Sequence, residues 1–259
     1  MHIVITGASS GIGAAYARAF ATAGHTLTLV ARRRELLEKL AAELPTRTFL
    51  VVQDLSKLEG IADFLEHAEA ELGPVDVLVN NAGVQVVGPT ASVDVAECER
   101  VLDVDLKAPL RLTLALLPRM LARGRGTIVD VASMAALAPT PGMTYYNAAK
   151  AGLAAASESL RGELRRTGLH VVTVYPGIIA STEMAQASMQ KYAESKLMPY
   201  LGGNVDVLAR LTLRAIERRR TRVIYPRFGA LARWFPGVTR WLMDRITPGF
   251  RPEVLAPAP

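Results

Sequence analysis

The chain has 259 residues, half of them hydrophobic, with a formal net charge of +6 and one cysteine. That length suits a single α/β domain with a sizeable core. Cys98, standing alone, excludes an internal disulfide framework and a cysteine-based zinc site, so no metal site is expected, and it reads as a small apolar residue on a helix.

Residues 2–5 form a short strand, followed by Thr6-Gly7-Ala8-Ser9-Ser10-Gly11-Ile12-Gly13 and a helical run over 14–23 that Gly24 ends. Strand, glycine turn and helix together form the context of a phosphate-binding motif. The glycines let the backbone turn tightly and approach a pyrophosphate, and the helix amino terminus attracts its charge. The spacing is Gly-x-x-x-Gly-x-Gly rather than the usual Gly-x-Gly-x-x-Gly, because Tyr16 takes the last place. A strand over 26–30 leads to Ala31-Arg32-Arg33. An acid at this place would hold a ribose 2′-hydroxyl, whereas two guanidinium groups suit a 2′-phosphate and favour NADP(H) over NAD(H). The competing reading is a solvated helix start, since Arg34 and Glu35 continue the charge run.

A helix over 35–44 and a strand over 48–52 follow, and then Asp54-Leu55, where a carboxylate can accept from an adenine amino group. A helix over 58–72 ends at Gly73-Pro74. A strand over 75–79 runs into Asn80-Asn81-Ala82-Gly83, small residues that let a cofactor lie against the sheet. A long helical region, about 93–123, precedes a strand over 127–131 that sets Ser133 at its carboxyl end, where open parallel sheets bind ligands.

Tyr146 and Lys150 are four residues apart on a helix running to about 167, so they share one face. A free phenol has a pKa of ~10. A nearby ammonium group lowers it, letting the tyrosine act as general acid or base toward a carbonyl or alcohol oxygen that the serine hydroxyl can hold. Taken alone, Tyr-x-x-x-Lys is common on amphipathic helices, and it is the upstream dinucleotide signals that give it weight. A strand over 170–175 ends at Pro176-Gly177, a helix spans 204–220 and a strand spans 222–225. The alternation predicts a Rossmann-like, doubly wound parallel sheet with three layers, α/β/α, in one domain over 1–226.

Residues 227–259 form an amphipathic extension. Phe228, Leu231, Trp234, Phe235, Val238, Trp241, Leu242 and Ile246 fall at near-helical spacing, broken at Pro236-Gly237, among arginines 227, 233, 240 and 245. Its apolar face is expected to pack over the substrate pocket or a second subunit, with a membrane interface as the competing role. No apolar run is long enough to span a bilayer, and the first strand begins at once with no visible leader. A cytoplasmic protein is therefore expected, with at most peripheral membrane contact and, in the absence of a motif, no nucleic-acid partner.

The glycine turn, Asn80-Asn81-Ala82-Gly83, Ser133, Tyr146-Asn147-Ala148-Ala149-Lys150 and Pro176-Gly177 come in the order and spacing of one family. Over about residues 1–185 the chain resembles the classical short-chain dehydrogenases/reductases. The resemblance implies an NADP(H)-dependent enzyme with Ser133, Tyr146 and Lys150 as catalytic residues: Tyr146 the proton donor in reduction, Ser133 orienting the carbonyl, and Lys150 holding the nicotinamide ribose. It implies cofactor contacts from Gly7, Ser9, Ser10, Gly11, Ile12 and Gly13; from Arg32, Arg33, Asp54 and Leu55; from Asn81, Ala82 and Gly83; and from Pro176, Gly177, Ile179, Ser181 and Thr182, besides Tyr146 and Lys150.

Two departures stand out. Asp105 replaces the family's usual relay asparagine, and an ionised carboxylate cannot donate as an amide does. Ser181 and Thr182 compete for the position of a cofactor-touching threonine. A substrate lid is expected over about 178–202, and Met134, Leu137, Met143, Ile178, Met184, Met189, Met198 and Tyr200 suggest an apolar or amphipathic carbonyl compound as substrate. The enzyme is expected to be a homo-oligomer, dimer or tetramer. A non-catalytic nucleotide sensor and a lipid-surface protein are the alternative readings.

Overall fold

The inner strands are apolar on both sides, so they need cover on both faces. All of β1 (His2–Thr6) is buried. Ile3 and Ile5 point into one core and Val4 into the other, the two-residue alternation of a pleated strand. In the computed structural model, which describes residues 1–192 and 202–246, seven parallel strands meet that requirement.

Their order is β3-β2-β1-β4-β5-β6-β7, with β2 at Thr26–Ala31, β3 at Thr48–Val52, β4 at Val77–Asn80, β5 at Gly126–Val131, β6 at Leu169–Pro176 and β7 at Arg222–Tyr225. Ile3 pairs with both Leu27 and Val77. The order therefore reverses between β1 and β4 and opens a crevice at their carboxyl ends. Helices α1 (Gly11–Thr22), α2 (Arg34–Glu43) and α8 (Val205–Glu217) cover one face. The other is covered by α3 (Phe64–Leu72), α5 (Ala108–Arg123) and the far end of α6 (Thr144–Glu163). The remaining helices are α4 (Val95–Leu102), α7 (Glu183–Met189), α9 (Ala230–Trp234) and α10 (Pro236–Ile246). Cys98 is buried on α4, as its reading as a small apolar residue requires. Among the described residues no helix is long and apolar enough to cross a membrane.

Helix α6 ends at Glu163 rather than near 167, α8 at Glu217 rather than at 220, and three further differences from the sequence reading have a local cause. Helix α3 starts at Phe64 rather than at 58, because Gly60 turns the preceding segment with a φ of 62°. Strand β4 starts at Val77 rather than at 75. The Val75 N–H donates to Glu69 Oε1 (2.9 Å) instead of joining the ladder. The helical region over 93–123 is interrupted by a π-helical turn, Asp103–Lys107, between α4 and α5. Such a turn widens the helix by one residue and re-aims its side chains, and Asp105 is here turned fully inward.

Candidate active site

The crevice at the carboxyl ends of the strands is a cleft of about 620 Å³. One end is built by the turn between β1 and α1. Gly7 adopts a φ of 66°, and a Cβ added there would lie 2.7 Å from Ala82 Cα. At Gly13 a Cβ would collide with the Gly7 carbonyl oxygen, so this glycine lets α1 close onto the turn instead of lining the cleft. Ser10 caps α1 without a side-chain hydrogen bond, and the first turn of α1 carries no acid. The positive end of the helix, with its amide donors, therefore faces the cleft beside Ser9, Ser10, Gly11 and Ile12.

Arg32 and Arg33 follow β2 and lie exposed along the same wall. Arg33 donates to Ser10 Oγ (2.7 Å) and pairs with Glu183 on α7 (3.3 Å). Asp54 and Leu55 line the neighbouring part of the wall. Burial pushes the Asp54 carboxyl up, but hydrogen bonds from Ser56 and the charge of Arg32 outweigh that and hold it below its ordinary value. Asn81, Ala82 and Gly83 form the floor. Thr6 Oγ1 accepts from the N–H groups of Asn81 (2.9 Å) and Ala82 (3.0 Å), pinning β1 to β4 at the point of reversal.

The other end holds the reactive types. Ser133 leaves β5 and caps a short 3-10 turn, its Oγ accepting from the Ala135 N–H (3.1 Å). Tyr146 and Lys150 come from the first turns of α6, both nearly buried, with the ammonium nitrogen 5.8 Å from the phenol ring centroid. Lys150 Nζ donates to the Val131 carbonyl (3.0 Å) and pairs with Asp105 (3.2 Å), whose other oxygen accepts from the Val84 N–H (2.7 Å). Burial works against the Lys150 ammonium, but Asp105, Tyr146 and Asp130 overcome it and its pKa stands above the ordinary value. For Tyr146 burial is the strongest influence, and it raises the phenol. Lys150 and the Ser133 hydroxyl pull downward, the Asp105 charge pushes upward, and the result lies above a free tyrosine. The expected lowering by lysine is present but does not prevail, because burial outweighs it and the Asp105 charge opposes it.

Pro176, Gly177, Ile179 and Thr182 line the cleft beyond β6. Between the two competing hydroxyls, Ser181 is exposed and off the cleft wall. Thr182 faces the cleft and caps α7, accepting from the Ala185 N–H (3.2 Å) and donating to the Ile179 carbonyl (2.9 Å). Met134, Met143, Ile178, Met184 and Met189 reach the cleft, whereas Leu137 turns away toward α9. Met198 and Tyr200 lie outside the described residues.

Sequence reasoning passed over Thr6, Glu183 and Tyr192. Tyr192 closes the apolar end, donating to the Pro141 carbonyl (2.7 Å), and burial pushes its phenol up to about 12. Thr6 opens the glycine-turn motif but was given no role of its own, and Glu183 and Tyr192 stand in no motif.

The sequence model of the short chain dehydrogenases matches residues 1–193. The chain belongs to the short-chain dehydrogenase/reductase family. Among its relatives in this family, a short chain dehydrogenase of Pseudocercospora fijiensis is 37% identical over 183 residues, 69% of this chain and 59% of that protein. The ketoacyl reductase HetN of Nostoc sp. is 31% identical over 227 residues, 86% of this chain and 77% of that protein. A short-chain dehydrogenase from Sphingobium yanoikuyae, solved in complex with NADPH, superposes with a TM-score of 0.79 at 33% identity over 95% of each chain. The chain is thus an oxidoreductase of a family whose fold binds a nicotinamide cofactor.

Proposed function

We propose that this enzyme interconverts a carbonyl and an alcohol on an apolar or amphipathic small molecule and prefers NADP(H). The observation that carries the reading is the meeting of Ser133, Tyr146 and Lys150 on one cleft that runs on to the glycine turn and to Arg32 and Arg33. These residues fit a phosphorylated dinucleotide: a helix amino terminus free of side-chain caps, a turn that tolerates no Cβ at Gly7 or Gly13, and two exposed guanidinium groups where a 2′-phosphate would lie. The nicotinamide, when bound, supplies the hydride in reduction and accepts it in oxidation.

The chain's own groups do the rest. Ser133 holds the substrate oxygen by hydrogen bonding, and Tyr146 donates a proton to it in reduction or withdraws one in oxidation. Lys150, fixed by the Val131 carbonyl and Asp105, holds the ribose side of the cofactor. The raised phenol pKa keeps Tyr146 protonated at neutral pH, the form that serves reduction. Met134, Met143, Met184 and Met189 give the substrate end an adaptable apolar wall. The ketoacyl substrate in the name of the Nostoc relative and the NADPH bound to the Sphingobium neighbour agree with this reading. A non-catalytic nucleotide sensor is disfavoured, because sensing requires none of Ser133, Tyr146 and Lys150.

The reading includes a homo-oligomer in the cytoplasm. Leu110, Leu114 and Leu121 lie exposed along α5, Leu114 by 71%, and offer an apolar face to a second copy. The test of function is loss of NADPH absorbance against a panel of aliphatic and aromatic ketones, aldehydes and 3-ketoacyl thioesters. Tyr146→Phe keeps the ring and removes the proton, so turnover of any accepted compound falls by ~10² to 10⁴ while NADPH titrates as in wild type. Near-normal turnover by this variant overturns the mechanism.

A further inference from the structure

Seven of the thirteen large hydrophobic side chains left exposed among the described residues lie between positions 228 and 242. They are Phe228, Leu231, Trp234, Phe235, Val238, Trp241 and Leu242, and Trp234 is 74% exposed. Leu231 and Trp234 are i and i+3 on α9, with Phe235 at its carboxyl-terminal cap, and Val238, Trp241 and Leu242 repeat at i, i+3 and i+4 on α10, so each helix gathers its apolar residues on one side. Of the two packings expected for this face, over the pocket or against a second subunit, the first is met in part by Phe228, which lines the cleft, while among the described residues these seven side chains remain exposed.

The segment is nonetheless anchored to the body. Arg233 donates to both oxygens of Glu158 on α6 (2.8 and 3.2 Å), Ala232 is buried, and Gly229 packs against Met134. The exposed face is therefore held in place, and it reaches the cleft, whose wall includes Phe228, Gly229 and Met243.

Its charges choose between occupants. Residues 227–246 contain four arginines and one acid, Asp244. Arg233 is spent on Glu158, while Arg227, Arg240 and Arg245 make no ion pair with a carboxylate among the described residues. Arg245 lies 4.1 Å from the centroid of the Trp241 ring, a cation over an indole. A second copy meeting this face through a two-fold axis would set these arginines against themselves. An anionic lipid surface meets both features, with tryptophans at the headgroup level and arginines among the headgroups. With 11 residues, α10 is too short to span a bilayer and suits lying in its plane.

We propose that residues 228–242 dock this enzyme onto an anionic lipid bilayer, with the mouth of the cleft turned toward the membrane. Entry of an apolar substrate from the lipid rests additionally on the function proposed above, whereas docking does not.

The test uses the full chain, sedimented with phosphatidylcholine vesicles with and without phosphatidylserine at low and high salt, beside sedimentation velocity without lipid. Wild type binds phosphatidylserine vesicles at least tenfold more tightly than neutral ones, and salt weakens that preference. W234E/W241E loses at least tenfold in vesicle affinity, and so does R240E/R245E. Both variants keep the wild-type NADPH titration, which reports their folding. Equal binding to both vesicle types, vesicle binding by the tryptophan variant equal to wild type, or a wild-type oligomer that this variant dissociates overturns the proposal. Turnover of a water-soluble ketone separates the two readings. Vesicle binding without turnover leaves docking intact and overturns the function, and turnover without vesicle binding does the reverse.

Discussion

At Asp105 a carboxylate stands where the family usually has an amide, and the exchange alters the charge balance around Tyr146. A neutral asparagine would leave Lys150 free to stabilise the phenolate, whereas Asp105, fully buried and 3.2 Å from the ammonium, cancels much of that effect. An anion near a phenol disfavours the phenolate, so its removal lowers the phenol pKa. Asp105→Asn therefore moves the rising limb of the oxidation rate, which needs the phenolate, to lower pH in a pH–rate profile. An unmoved limb would mean that Asp105 only fills space. Beside the glycine turn, Arg32→Asp replaces a guanidinium on the cleft wall with a charge that repels a 2′-phosphate. NADPH affinity then falls by roughly ten- to a hundredfold in fluorescence titration, the worth of one charge-assisted hydrogen bond, while NADH affinity holds or rises.

Two carboxylates, Glu183 and Glu158, tie distant elements together through ion pairs with arginines. Arg33 joins the turn before α1 to α7 through Glu183, with both side chains well exposed. If Arg33 receives a 2′-phosphate, Glu183 competes with it. Glu183→Gln then tightens NADPH by up to about fivefold, the scale of one exposed pair, and leaves NADH unchanged in the same titration. Glu158 on α6 accepts from Arg222 on β7 (3.0 Å), Arg233 on α9 and Tyr175 on β6 (3.0 Å). Burial alone would raise its carboxyl, but these partners depress it to about 2. A depressed carboxyl contributes stability that is complete above the unfolded value of about 4.5 and fades as pH falls toward 2. Glu158→Gln costs about 1 to 2 kcal/mol in calorimetry at pH 7, allowing for partial exposure, and its difference from wild type shrinks as the solution is acidified through that window.

At the scale of the whole molecule, two exposed apolar faces of different chemistry stand out among the described residues. The α5 face holds leucines and the carboxyl-terminal face mixes tryptophans with arginines. Leu114→Arg puts a cation at the centre of the first. Sedimentation velocity then shows a smaller species than wild type, and an unchanged species would remove α5 from the subunit contact. The alternation of strands with helices made the doubly wound sheet legible, because strands buried on both faces read as short apolar runs and the order reversal follows from crossover connections. The π-helical turn at Asp103–Lys107 was not legible: its residues suit an ordinary helix, and the pairing of Asp105 with Lys150 joins residues far apart in the sequence.

What the sequence by itself determined are the features that short-range sterics and periodicity write into neighbouring residues. These are the glycine turn with its positive φ at Gly7, the four-residue spacing of Tyr146 and Lys150, and the strand end that presents Ser133. The tertiary structure alone decided which distant groups meet. It paired Asp105 with Lys150 and Arg33 with Glu183, turned Thr182 rather than Ser181 to the cleft, and left the tryptophans of α9 and α10 uncovered. A charge or an apolar face looks the same in the sequence whether its partner is water, a carboxylate or another surface. The choice among them is made by desolvation and by distance in space, which exist only once the chain has folded.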